Sequence, residues 1–318
     1  ADVISNDHEL YLGMAGLGAA PTIRERLASA DAILVIGCRL SEPTSWEDTI
    51  PGVGTRWAHV DIEPHRSSGP RPADITVAAD ARTFLRAAND RLVGKAVLDA
   101  ELVRRRQANN VADRAAWEDA ATVDANADDW TGPGVHPGRV ITTLRHVLSD
   151  DAILTTDAGN FAGWAGRGFR FRRPGTFIGP TSGAMGYAVP AAIAAALVHR
   201  DRPVVALAGD GGMAMTMAEL ETATREGARI IVLVFDNEQY GTIRMWQSRR
   251  GAGAPIATEL GTIDFAAIAR GLGARGVRID RDADVEPALR QALAEERSTV
   301  IHLALDRAWV SVDQPATP

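Results

Sequence analysis

Asp210 and Asn237 are the residues best placed to do chemistry. Each follows a short apolar run, Val204–Ala208 in one case and Ile230–Phe235 in the other. A carboxylate and an amide oxygen are hard donors that suit magnesium or calcium. Two protein oxygens leave an octahedral shell unfilled, and magnesium commonly completes it with water and phosphate oxygens. Asp210 also lies within Gly209-Asp210-Gly211-Gly212, a glycine-rich approach to a helix. The amides of Gly211, Gly212 and Met213 there form a ready anion site. A divalent metal beside an anion site is chemistry for holding a diphosphate.

The elements around these residues follow from the apolar pattern. Both runs are rich in β-branched residues and short enough to be strands buried on both faces. Met217–Glu226 between them reads as a helix. Strand, turn, helix, strand is the unit of a parallel sheet with right-handed crossovers. Ligands sit off the carboxyl ends of such strands, which places Asp210 and Asn237 side by side at one edge of the sheet.

The run from Gly209-Asp210-Gly211 to Asp236-Asn237-Glu238-Gln239-Tyr240-Gly241 resembles the motif of the thiamine diphosphate-dependent enzymes, in particular the acetolactate synthase-like ones. The resemblance implies a magnesium ion held by Asp210, Asn237 and the backbone carbonyl of Gln239. It implies a cofactor bound by Gly209, Asp210, Gly211, Gly212, Met213, Asn237, Gln239, Tyr240 and Gly241. The segment Thr181–Leu197, TSGAMGYAVPAAIAAAL, is similar to the family segment beneath the thiazolium ring. Gly183 permits a close backbone approach, and the resemblance gives its carbonyl to the aminopyrimidine. Met185 is bulky and adaptable, and the resemblance makes it the wedge that bends the cofactor. Asp157-Ala158-Gly159-Asn160 matches a turn that helps hold the diphosphate, which makes Gly159 and Asn160 candidates. Trp246 matches a tryptophan that shapes the substrate pocket. Met185 and Trp246 are thus the residues expected closest to the reaction.

Composition narrows the alternatives. The 318 residues are 46% hydrophobic and 24% charged, with a net charge of −7. An acidic chain is a poor match for nucleic acid or an anionic membrane, so a small molecule is the expected partner. Cys38, the single cysteine, stands in the apolar run AILVIGC and reads as a buried small residue in a reducing compartment. The N-terminus carries no signal-peptide pattern, and Gly183–Val198 is too short and contains Pro190, so a cytoplasmic chain is expected.

Taken in order, Pro21 opens a helix to about Ala30. Ala32–Gly37 reads as a buried strand, and Trp57–Glu63 and Ile75–Asp80 as two more. Asp80 is placed to cap a helix over Ala81–Leu92. The alternating pattern indicates a parallel sheet. LYLGMAG, ADAILVIGCRL and HVDIEP resemble the second half of the central domain of acetolactate synthase-like enzymes, which binds FAD in several members. No G-x-G-x-x-G follows a strand, so FAD binding and a purely structural domain both stay open. Residues 95–128 are charged and helix-favouring, and read as a solvated linker. Thr131–Gly138 marks a boundary, and His136 there receives no role. A helix over Gly138–Leu148 and a strand over Ala152–Thr156 begin the second domain. After Gly241 the polar, glycine-bearing stretch to Gly261 reads as a mobile lid. Asp264–Leu272, Gly276–Ile279, Ala283–Ala294 and Thr299–Ala304 complete the sheet, and residues 312–318 form a loose tail.

The expected architecture is therefore α/β, in parallel-sheet sandwich domains. A partial Rossmann-like central domain over 1–94 and a linker over 95–134 precede a thiamine diphosphate-binding fold over 135–318. The expected activity is thiamine diphosphate- and magnesium-dependent decarboxylation or carboligation of a 2-oxo acid, in a dimer or tetramer. Two features depart from the family. No pyrimidine-binding domain with its activating glutamate is found, so a cofactor-binding subunit that needs a partner carrying that domain is the second reading. In Arg39-Leu40-Ser41-Glu42-Pro43, a proline stands where the family has a second arginine near the substrate carboxylate. A nucleotide-binding module using the same turn is the third.

Overall fold

The computed structural model describes residues 1–64, 69–95, 99–122, 132–251, 254–308 and 311–312. Residues 123–131 of the expected linker and boundary, 252–253 of the expected lid and 313–318 of the expected tail lie outside these. The chain forms two compact units, one of Leu12–Ala120 and one of Ala1–Tyr11 with Ala121–Pro318.

The smaller unit holds three parallel strands, β1 (Ala32–Ile36), β2 (Arg56–Asp61) and β3 (Ile75–Ala78), in that order across the sheet. Val35, Leu40 and Trp57 form its buried cluster. The strand expected to be buried, β1, exposes one face: Leu34 is 55% accessible. Cys38, expected inside, is exposed at the end of that strand. It has left the apolar run by then and lies in the turn after Gly37, whose φ is 58°. Helix α1 (Pro21–Ala28) starts on a proline, and α2 (Ala81–Leu92) is capped by Asp80, which accepts from the Thr83 amide at 2.9 Å. Where a linker was expected, α3 (Ala100–Ala121) packs into this unit. Its Trp117 is 1% exposed, and Arg26 of α1 bridges to Asp113 at 2.7 Å and Asn110 at 2.6 Å.

The larger unit is built on a six-stranded parallel sheet. Its strands are β4 (Ile153–Thr156), β5 (Phe177–Ile178), β6 (Val204–Gly209), β7 (Ile231–Asp236), β8 (Arg275–Ile279) and β9 (Thr299–Ala304), in the order β5-β4-β6-β7-β9-β8. The central pair, β6 and β7, runs from Val205 opposite Ile231 to Gly209 opposite Phe235. Alternate side chains go to opposite faces, as the pleat demands. Val205, Leu207 and Leu233 join one core with α4 (Pro137–Val147), α5 (Asn160–Gly168) and α11 (Val285–Ala294). Ala206, Val232 and Val234 join the other with α6 (Ala188–Val198), α8 (Glu219–Arg225) and α10 (Phe265–Gly271). The alanine-rich face of α6, with Ala192 and Ala196, lets that helix lie close to the strands. His136 caps α4, its Nδ1 accepting from the Gly138 amide at 3.0 Å.

Two stretches differ from their sequence reading. The turn after β6 is already helical, since α7 (Asp210–Thr216) starts at the aspartate and precedes α8. The expected lid begins as α9 (Gly241–Arg249). The return segment is stitched to it: the Ile256 amide donates to Gln247 Oε1 at 2.7 Å and Gln247 Nε2 donates to the Ile256 carbonyl at 3.3 Å.

Candidate functional site

Three adjacent strands, β4, β6 and β7, end on one edge of the sheet and pass at once into α5, α7 and the turn before α9. A parallel sheet aligns carboxyl ends, so Asp157–Asn160, Gly209–Gly212 and Asp236–Gly241 converge there. They line an open cleft. Among the described residues it holds Gly159, Asn160, Met185, Gly209, Asp210, Gly211, Gly212, Asn237, Gln239, Tyr240 and Gly241. Distant stretches of sequence, each expected to touch one cofactor, are thus brought to one place. Three expected residues are not on its wall. Gly183 sits in an exposed turn with φ 69°. Met213 is 0% exposed and its side chain belongs to the core beneath α7. Trp246 lies on α9, 37% exposed, with the guanidinium groups of Arg249 and Arg250 at 5.6 and 5.9 Å from its ring.

Asp210 is held from both sides. Its Oδ1 accepts from the Gly211 amide at 2.7 Å and its Oδ2 from the Gln239 amide at 3.2 Å. The second bond ties the end of β6 to the turn after β7. That turn passes through Glu238 at φ 53°, a left-handed conformation unusual for glutamate. It is braced by Leu260, whose amide donates to the Glu238 carbonyl at 2.9 Å, and by Thr262, whose hydroxyl donates to Glu238 Oε1 at 2.8 Å. Gln239 is 3% exposed, and its Nε2 donates to the Arg307 carbonyl at 2.6 Å. Its own carbonyl accepts from the Gly241 amide at 2.8 Å, which leaves one lone pair.

The electrostatics of the pair behind the turn are uneven. Burial pushes the Asp210 carboxyl up to about 7, helped by its hydrogen bond with Asp236. Burial acts on Asp236 too, but hydrogen bonds from the His302 ring and the Glu238 amide outweigh it and hold that carboxyl below its usual range. Two buried carboxylates side by side, with Asp210 the harder to ionise, make a site that gains from a cation. The backbone beside them has no room for side chains. A Cβ on Gly211 would stand 2.5 Å from the Tyr240 ring and 3.1 Å from the Met185 methyl. One on Gly212 would stand 1.9 Å from Asp157 Oδ2. These glycines keep bare backbone at the cleft, which suits a bulky anion and its metal.

Asp157, at the end of β4, accepts the Ala188 amide at 2.6 Å on Oδ1 and thereby anchors the start of α6, while Oδ2 has no hydrogen-bond partner among the described residues. Burial raises this carboxyl, and the amides of Ala188, Gly186 and Tyr187 oppose the rise. Phe161 and Phe235 stack at 5.5 Å to form the apolar floor, and the Thr242 hydroxyl accepts from the Asn160 amide at 3.1 Å. Asp157, Phe161 and His302 belong to the site without being singled out by the sequence pattern. Asp157 was visible as the residue closing a strand; the other two looked like ordinary core residues. The one signal for His302 is a histidine inside the apolar run TVIHLA.

Comparison with known proteins gives this geometry a family. Residues 157–303 match the C-terminal TPP binding domain of thiamine pyrophosphate enzymes, and residues 1–88 match the central domain of the same enzymes. The chain is 30% identical over 334 residues to a sulfoacetaldehyde acetyltransferase of Castellaniella defragrans, covering 96% of this chain and 54% of that protein. It is 28% identical over 296 residues to the acetolactate synthase large subunit of Corynebacterium glutamicum, covering 90% of this chain and 45% of the relative. It superimposes with a TM-score of 0.70, at 21% identity, on a thiamine diphosphate-dependent 4-hydroxybenzoylformate decarboxylase of Rhodococcus jostii RHA1, over 92% of this chain and 51% of the other. The chain spans about half the length of the curated relatives it matches. With both domain models matched in order and the glycine-bare, carboxylate-lined strand ends where they fall, the chain belongs to the thiamine pyrophosphate enzymes.

Proposed function

We propose that this chain binds thiamine diphosphate with magnesium and serves the decarboxylation or carboligation of a 2-oxo acid. The observation that carries the proposal is the Asp210 site: a buried carboxylate tied to the Gln239 amide at 3.2 Å, beside glycines that leave no space for a Cβ. Asp210, Asn237 and the Gln239 carbonyl would hold the metal. The starts of α5 and α7, with Gly159, Asn160, Gly211 and Gly212, would face the diphosphate. Bound thiamine diphosphate supplies an electron sink for the carbanion left when a 2-oxo acid loses carbon dioxide. The protein's own part is to bind, orient and keep water out. Met185 reaches the cleft from the turn before α6 and restricts what can lie over Gly211. Phe161 and Phe235 keep the floor dry. Trp246 stands on α9 and meets the substrate when that helix covers the cleft. Isothermal titration of the chain with thiamine diphosphate tests the reading. Binding is expected with magnesium and lost on chelation; binding that ignores magnesium overturns it.

A second reading keeps the same binding and removes the turnover. Among the described residues lining the cleft, the acids are Asp157 and Asp210. The first anchors α6 and the second is bound into the turn. Asp210 has both oxygens engaged, and Asp157 is buried at the start of α6 with one oxygen on the Ala188 amide, so neither is placed as the activating carboxylate. On this reading a partner carrying a pyrimidine-binding domain supplies that carboxylate; on the first reading the chain works as a homo-oligomer. FAD on the smaller unit belongs to the proposal through the resemblance of that unit to the family's central domain.

A further inference from the structure

We propose that His302 is a positioning residue for the metal turn, acting through Asp236; this rests on the magnesium-binding reading of Asp210. His302 is 0% exposed in the middle of β9, opposite Val234 of β7. An imidazole buried in an apolar sheet is costly unless its polar atoms are satisfied. Here Nε2 lies 2.6 Å from Asp236 Oδ2, Nδ1 has no hydrogen-bond partner among the described residues, and the ring is set by an edge contact with Phe265 at 5.3 Å and 85°. The other oxygen, Asp236 Oδ1, accepts the Glu238 amide at 3.0 Å. Both oxygens of that carboxylate therefore have protein partners, and its plane is fixed.

The consequence runs along the chain. Asp236 pinned by His302 holds the Glu238 amide, and Glu238 sits at φ 53°, which a turn does not keep without support. That conformation aims the Gln239 amide at Asp210 Oδ2, 3.2 Å away. Asn237 and the Gln239 carbonyl lie within the same four residues. Without His302 the Asp236 carboxylate would lose its imidazole partner and keep only the Glu238 amide and its hydrogen bond with Asp210. The carboxylate would turn toward Asp210, and the amide geometry of the turn would go with it. Groups that orient metal ligands from behind typically change metal affinity by about 10–100-fold when removed.

The test is the magnesium dependence of thiamine diphosphate binding to the full chain, followed by tryptophan fluorescence well below the melting temperature of each variant. His302→Leu should raise the half-saturating magnesium concentration by about 10–100-fold. His302→Gln, whose amide can still donate to Asp236, should recover most of the loss. A purely structural role would lower the melting temperature without moving the magnesium requirement of the folded protein. His302→Leu within twofold of the wild type, in a folded variant, overturns the inference while leaving the metal reading intact. Should His302→Leu not fold, His302→Asn is too short to reach Asp236 and carries the same expectation and the same refutation. A wild-type chain that binds the cofactor without regard to magnesium overturns both.

Discussion

At the scale of single residues, Asp210 concentrates the argument. It is 7% exposed and its carboxyl is pushed up to about 7, chiefly by burial. Such a group is held ready for a cation rather than for water. Asp210→Ala leaves Asn237 and one carbonyl facing a diphosphate in an acidic protein. Its affinity for thiamine diphosphate in the presence of magnesium should fall by more than about 100-fold, beyond what loss of an outer-shell partner costs. Calorimetry checks this, and an unchanged affinity would remove Asp210 from the metal site.

At the scale of elements, two junctions decide how the cleft is framed. The first is the entry to α6, where the buried Asp157 carboxyl takes the Ala188 amide. Burial raises its folded-state value above the ordinary aspartate range. A raised carboxyl favours the protonated form in the folded chain, so its stabilising contribution is present at low pH. That contribution is lost as pH rises from the ordinary value, about 4, through the raised one. Asp157→Asn keeps an oxygen for the Ala188 amide and does not titrate. The melting temperature of the variant relative to the wild type, without cofactor, should therefore rise as pH is taken upward through that window. A difference that stays flat with pH would show that burial does not penalise the charge. The second junction is the clamp of the half-buried Gln247 on the exposed Ile256. Removing it in Gln247→Ala forfeits two bonds worth about 0.5–1.5 kcal/mol each at most. Amide exchange should speed up in 254–262 by about tenfold and leave β6 and β7 unchanged. Exchange that is unaltered in the segment would mean that the bonds of Tyr240 to Thr258, at 2.8 Å, and of Leu260 and Thr262 to Glu238, at 2.9 and 2.8 Å, hold it without the clamp.

At the scale of the molecule, binding and turnover should separate. The chain spans about half of the relatives it matches, and the carboxylates in its cleft are committed to α6 and to the metal turn. The chain alone should bind thiamine diphosphate yet exchange the proton on the cofactor's reactive carbon slowly. Proton exchange in deuterated water, read by nuclear magnetic resonance, gives the rate directly. Fast exchange by this chain alone would mean that one of those two carboxylates is free to act after all.

What the sequence determined by itself was whatever is local or periodic. The β-branched runs at Val204–Ala208 and Ile230–Phe235 could only be buried strands, and both are covered on each face. A parallel sheet then required their carboxyl ends to meet, so Asp210 and Asn237 on one cleft followed from pattern alone. Asp80 as a cap was equally local. Tertiary structure alone decided what depends on partners far along the chain. It made α7 begin at Asp210, because the Gln239 amide from the next strand's turn holds that carboxylate in place. It left Leu34 and Cys38 exposed, since an apolar run does not reveal whether both faces of its sheet are covered. It sent Met213 into the core and kept Trp246 off the cleft wall, because a helix can turn either residue toward or away from the sheet edge. And it joined His302 to Asp236, 66 positions apart, through the pairing of β7 with β9, a neighbour relation that no spacing in the sequence encodes.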